Sequence, residues 1–278
     1  VSAVRRLSRV DLISADPRRL AMFYEALGFT PRPPAPLGAG QEIRVALGLG
    51  NERIDVFRPS RFGAPYPALV PGWSTSFQHF AIVVSDMRQA YARLQAQAGW
   101  AAISTDGPQR LPERSGGVTA FKFRDPEGHP LEFIAFPPTH ARWSQSGHVG
   151  IFLGIDHSAV SVSDTHRSTV FYQGLGLRRT GGSTNVGLEQ SLLDDLPEAH
   201  VAVTALSTPL NPTPHVELLC YRGDFIRDTH PPSPDDVAAS RLVFEADAAG
   251  ETPSSSMIRD PDGHIIMVED ARAYSGST

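Results

Sequence analysis

The sequence predicts an α+β protein built from four tandem βαβββ-like units, the fourth of them truncated. Three internal matches predict it. RVDLISADPRRLAMFYEALGF, Arg9 to Phe29, aligns without a gap with HSAVSVSDTHRSTVFYQGLGL, His157 to Leu177. FRDPEGHPLEFIAF, starting at Phe123, returns as IRDPDGHIIMVED from Ile258. ERIDVFRP, Glu52 to Pro59, corresponds to HVELLCYRG, His215 to Gly223. Repetition of a supersecondary unit decides the architecture before any single element is assigned.

Unit one, roughly 1–60, opens on an alternating strand. Asp16 is placed to cap a short amphipathic helix carrying Phe23 and Tyr24, and Gly28 ends that helix. Its last strand holds an acid, Asp55, in a buried-looking run. Unit two, roughly 77–137, is a looser copy, with Asp86 seven residues after His79. It closes on the DPEGH hairpin, where Asp-Pro starts the turn, Gly128 supplies the positive φ, and Glu132 follows inside an apolar strand. Unit three, roughly 153–223, repeats unit one with Asp164, Phe171-Tyr172 and Gly176, and puts Glu217 in the place of Asp55. Unit four, roughly 240–270, keeps the strand and the hairpin with Gly263. The Gly/Pro/Ser-rich stretch between them leaves no room for a full helix, and Met267 stands where unit two has Glu132. Turn-forming linkers, RPSRFGAPYPALVPGWSTS, PPTHARWSQSGHVG and RGDFIRDTHPPSPDD, join the units, so the chain divides into a first domain of 1–137 and a second of 153–270.

Composition bounds the function. With 278 residues and 41% hydrophobic content the chain can bury a large core. A net charge of -5 without a basic stripe argues against nucleic acid as a partner. Cys220 is the one cysteine, which excludes an internal disulfide and fits a reducing compartment. No apolar run reaches membrane-spanning length and VSAVRRLSRVDLIS lacks an apolar h-region, so the expected location is the cytoplasm.

The acids carry the chemistry. A carboxylate inside PLEFIAF or HVELLCY must lose water, which costs several kcal/mol unless a cation or hydrogen-bond donors compensate. Arg124 or Arg222 could pair with Glu132 and Glu217. A divalent ion is the other compensation, with His79 and His157, each opening a strand, as nitrogen donors. Imidazole and carboxylate suit Zn, Ni, Fe, Mn or Co, and alternation turns Cys220 to the face opposite Glu217. The bland readings go to the rest: His129 and His264 pack hairpins, Asp16, Asp86 and Asp164 cap helices, and the paired aromatics fill core. His140, His148, His166, His200, His215 and His230 carry no spacing signal and read as loop or surface residues.

The H-x6-D-x6-FY-x2-LG pattern from His157, the two DP(E/D)GH hairpins and the fourfold unit resemble the vicinal oxygen chelate superfamily, which includes glyoxalase I, extradiol dioxygenases and bleomycin or fosfomycin resistance proteins. The resemblance covers nearly the whole chain. It implies two curved mixed-sheet cups, each made of two units, with a divalent metal held by the first residue of strand one and an acid on the last strand. Carried over unit by unit, it yields Arg9 and Asp55, His79 and Glu132, His157 and Glu217, then Ser240 and Met267. A cup joining units two and three would hold His79, Glu132, His157 and Glu217 as metal ligands, with Glu132 or Glu217 doubling as general base. The implied activity is a glyoxalase-like lyase or isomerase acting on a small oxygenated molecule through two neighbouring oxygens. The alternatives are a ring-cleaving extradiol dioxygenase and a non-catalytic binding or resistance protein. Arg9 either binds a substrate carboxylate in the other cup or marks a drifted ligand position.

Overall fold

The computed structural model describes residues 3–34, 37, 40–68, 70–138, 140, 143, 150–209, 211–223, 231–247 and 254–271. His148 and His230 lie outside them. Unit one gives β1 (Val4–Ile13), α1 (Pro17–Ala26), β2 (Thr30–Arg32), β3 (Gln41–Leu49) and β4 (Glu52–Pro59). Unit two gives β5 (Gln78–Val84), α2 (Met87–Gln95), β6 (Ala101–Ala102), β7 (Gln109–Arg110), β8 (Thr119–Arg124) and β9 (Pro130–Ala135). Unit three gives β10 (Phe152–Ser161), α3 (Thr165–Gly174), β11 (Arg178–Val186), α4 (Leu188–Asp194), β12 (His200–Ser207) and β13 (His215–Tyr221). The described part of unit four is β14 (Arg241–Ala246), β15 (Ser255–Arg259) and β16 (Ile265–Asp270). Among the described residues, no helix is long and apolar enough to cross a membrane.

The caps form as the sequence asks. Asp16, Asp86 and Asp164 each accept a hydrogen bond from the backbone N–H three residues on, satisfying one of the free donors at the helix start. Helix α4 was not expected. Leu188, Leu192 and Leu193 at helical spacing were its signal, and the unit-one alignment hid it because the described residues of unit one hold no counterpart.

The strands form two mixed sheets. One runs β15-β16-β14-β1-β4-β3-β2 and so joins unit one to unit four. The other runs β11-β12-β13-β10-β5-β9-β8-β6 and joins unit two to unit three, with β7 pairing β8. At each centre the two opening strands meet antiparallel, β1 on β14 and β10 on β5. One continuous core lies on the helix side of both sheets, from Val10, Leu12, Ile54 and Val56 to Phe80, Ile82, Phe133 and Leu218. Period-two alternation sends the intervening residues, among them Asp55, His79, Glu132, His157 and Glu217, to the other face, where the cups are.

The repeated motifs also bind units that are neighbours in sequence. Tyr24 on α1 donates its hydroxyl to Asp125 of the unit-two hairpin at 2.8 Å, and Tyr172 on α3 donates to Asp260 of the unit-four hairpin at 3.2 Å. In each hairpin the other carboxylate oxygen accepts the N–H groups of the turn, from Glu127 and His129 or from Asp262 and His264. Gly128 and Gly263 both sit at φ 99°, and a Cβ there would also lie 2.8 Å from Tyr66 or 2.5 Å from Pro231. The Tyr of Phe-Tyr and the Asp of Asp-Pro are therefore partners, and His129, its Nδ1 2.8 Å from Asp125 Oδ2, belongs to the hairpin.

Candidate metal centre

Register assembles the site. In the second sheet Ala81 faces Glu132 across β5/β9, His157 faces Ala81 and Ala159 faces His79 across β10/β5, and Ala159 faces Glu217 across β10/β13. Residues in register share a face, so two His and two Glu surround Ala81 and Ala159, whose small side chains leave space between them. His79 Nε2 lies 3.0 Å from Glu132 Oε2. His157 Nε2 lies 3.5 Å from the same oxygen and 3.6 Å from Glu217 Oε2. The four residues proposed from sequence thus stand together. Arg124, weighed as a partner for Glu132, instead donates to the carbonyls of Gly128 and Val70.

Electrostatics there favours a cation. Burial pushes Glu132 up, but the close imidazoles of His157 and His79 and the nearby Lys122 ammonium outweigh it and hold the carboxyl well below its ordinary value. Burial alone dominates at His79, which is held down and neutral. At His157 burial is outweighed by Glu217, Asp156 and Glu132, so without an ion the ring holds its proton well above the usual range. In effect that proton does the work a metal would do.

The residues fit a divalent ion. One donor atom each from His79, Glu132 and His157 lies within 4.8 Å of the others. Atoms about 2.0–2.2 Å from a common centre sit roughly 3–4.4 Å apart, which matches. His157 Nε2 is buried without a hydrogen-bond partner, an orphan that an ion would satisfy. Cys220 offers no thiolate here, since it packs against the core on the opposite face.

Several residues at the site were not read from sequence. His215, taken for a loop residue, is on β13 in register with His157, and its Nε2 lies 3.4 Å from Glu217 Oε1. It is on the same face, two residues before Glu217; that spacing was the available signal. Lys122, in register with Glu132, is buried and places Nζ 2.6 Å from Asp194 on α4, which also accepts from Tyr221 at 3.0 Å and Gln190 at 2.6 Å. Helix α4 and this polar cluster wall one side of a cavity of about 450 Å³ that opens onto the four ligand candidates. Its apolar wall includes Leu111, Val118, Ile134 and Val203.

The equivalent face of the first sheet corrects one expectation. Val243 faces Met267 as Ala81 faces Glu132, so Arg241, not Ser240, stands where His79 does. The sequence reading was off by one at this strand, where Arg241 is in register with Ile265. The four positions are therefore Arg9, Asp55, Arg241 and Met267. Guanidinium groups occupy this cup: Arg9 Nε is 2.6 Å from Asp11 and its Nη2 is 2.8 Å from Glu269, while Arg44 Nη1 is 2.7 Å from Asp55. Of the two readings of Arg9, this saturated pairing favours the drifted ligand position. Met267→Glu is accordingly expected to add an acid to an arginine cluster and to bind no second equivalent of metal; elemental analysis that found one would overturn this.

The comparisons with known proteins agree with the geometry. A search of curated proteins gives no match. Residues 6–133 match the model of the Glyoxalase/Bleomycin resistance protein/Dioxygenase superfamily. Glyoxalase I from Zea mays is similar in structure at 14% identity and a TM-score of 0.64, over 98% of this chain and 94% of that one. A mutant of the same maize enzyme gives a TM-score of 0.66 at 15% identity, with 98% and 94% covered. A putative dioxygenase from Bacillus subtilis subsp. subtilis str. 168 gives 0.53 at 11% identity, with 97% and 86% covered. At such identities the likeness is one of fold. The chain has the glyoxalase I fold along its length, and its residues 6–133 form a domain of the Glyoxalase/Bleomycin resistance protein/Dioxygenase superfamily.

Proposed function

We propose that the protein is a metal-dependent enzyme of glyoxalase type, a lyase or isomerase acting on a small oxygenated molecule in the cup between β5 and β10. The observation that carries the proposal is the convergence of His79, Glu132, His157 and Glu217 on one face, around an orphaned imidazole nitrogen, at the floor of a cavity. A divalent ion held by these four residues would bind two neighbouring substrate oxygens and polarise a carbonyl. The two glutamates then differ in what they can do. Glu132 is tied to His79, whereas Glu217 is more open, its side chain 22% exposed, and meets His215 only at 3.4 Å. Glu217 is the acid free to turn toward a bound substrate and take a proton from the carbon beside the carbonyl. Lys122, Gln190 and Tyr221 line the same cavity. The division into 1–137 and 153–270 is supported by the Tyr24–Asp125 and Tyr172–Asp260 bonds, each made within one half.

The test is elemental analysis of protein purified without chelators, followed by deuterium exchange at the carbon beside the carbonyl across a panel of α-hydroxycarbonyl compounds. Zinc or nickel with exchange supports the reading, and protein without metal would favour a binding protein. A second reading has one observation behind it: His79, Glu132 and His157 form a two-histidine, one-carboxylate set, which suits iron and dioxygen chemistry. Redox-active iron with oxygen uptake would select it. Glu217→Gln is expected to keep metal through the other three ligands while losing turnover by on the order of a hundredfold or more. Glu132→Gln is expected to lose both. Metal stoichiometry and turnover of the two variants decide this, and equal behaviour would remove the distinction.

A further inference from the structure

Alternation along a strand sends adjacent residues to opposite faces. Asp156 and His157 nevertheless share one, because β10 carries a bulge: Ile155 pairs with Ile82, His157 pairs with Ala81, and Asp156 is the extra residue between them. The bulge brings Asp156 Oδ2 to 3.1 Å from His157 Nδ1. The other oxygen accepts a hydrogen bond from Trp143 Nε1 at 3.0 Å, and all three side chains are buried. An ionised carboxylate can only accept, so a neutral His157 ring must carry its proton on Nδ1. Its Nε2 lone pair then faces Glu132 and Glu217.

We propose that Asp156, turned onto the cup face by the bulge in β10 and held by Trp143, is the positioning residue that fixes the ring orientation and tautomer of His157 for metal ligation. The inference rests on the metal-centre reading above and adds to it a residue that touches neither the ion nor the substrate. The amide in Asp156→Asn exposes the logic. Trp143 Nε1 can only donate, so it claims the amide oxygen, and the NH₂ group is left facing His157 Nδ1. That amide donates where the carboxylate accepted, which favours the proton on Nε2 and blocks the ligand atom, the same inversion that an aspartate-to-asparagine change causes in a serine-protease triad. Removing the tryptophan donor frees the amide to turn its oxygen to His157.

The experiment is zinc affinity of the full chain, measured by competition with a chromogenic chelator, for the unmodified protein, Asp156→Asn, Trp143→Phe and the double variant. Asp156→Asn is expected to weaken zinc binding about 10–100-fold. Trp143→Phe alone should stay within a few-fold of the unmodified chain, and the double variant should recover most of the loss. Thermal unfolding of the metal-free proteins checks that all four fold. Unchanged affinity in Asp156→Asn, or a double variant as weak as the single one, would overturn the assignment. So would two equivalents of zinc in the unmodified chain, since Asp156, His157 and His215 also lie within 4.8 Å of one another and would then be ligands themselves. An unmodified chain that binds no zinc or other divalent ion would overturn the metal-centre reading as well, whereas normal binding with an indifferent Asp156 would leave that reading standing.

Discussion

His79→Ala and His157→Ala are each expected to strip the protein of its metal, reducing bound ion to a small fraction of one equivalent in elemental analysis. Each deletes a neutral nitrogen donor and leaves Glu132 and Glu217 facing the ion without a full set of partners. Their effect should exceed the roughly 10–100-fold loss that follows from disturbing a supporting residue. The histidines stand on the two strands that meet at the centre of the sheet, with ring centroids 5.6 Å apart. Removal of either should therefore fail in the same way, and thermal unfolding separates that failure from loss of the fold. Normal metal content in both variants would remove the basis of the proposed activity.

Arg9→Met is expected to destabilise the protein by about 3–5 kcal/mol, the order of the cost of removing one partner from a buried charge cluster. Asp11 and Asp55 are almost fully buried, and Arg9 reaches both as well as Glu269. Denaturant unfolding measures the change, and a loss under about 1 kcal/mol would show the cluster to be as weak as exposed ion pairs are. The pH dependence has a definite sign. Burial pushes Asp11 up, but Arg9 and Arg44 outweigh it and hold its carboxyl below the ordinary value of 3.8. Its contribution is thus present above the unfolded carboxyl pKa and lost as pH falls through the folded one. Arg9→Met should accordingly show a shallower loss of stability on acidification than the unmodified chain.

The fold and the four ligand candidates were legible because the chain is written in repeats, and the repeats differ where the chemistry differs. Glu132 against Met267 is such a difference, and so is His157 against Arg9. What escaped the sequence escaped for local reasons. Asp156 sits beside a ligand on a strand, and strict alternation turns it away; only the bulge brings it back. Ser240 stood in place of Arg241 because only the pairing of Val243 with Met267 shows which residue of that strand shares the face. Lys122 and Asp194 meet across more than seventy positions of chain, joined by a helix that the described residues of the other units do not show. The partnership of Tyr24 with Asp125 was written in two motifs read separately, and nothing in either says that they touch.

The crosswise pairing of units has a consequence for motion. Residues 1–137 and 153–270 are joined by two antiparallel ladders at once, β5 on β10 and β1 on β14, one in each sheet. A pair of halves fastened along a single edge can swing open like a book. Fastened along two, they are braced like the opposite sides of a box, and a hinge between them would have to tear one ladder to relax the other. The floor that carries the histidines is thus braced by the β5–β10 ladder, and β11 and α4 form part of the cavity wall above it.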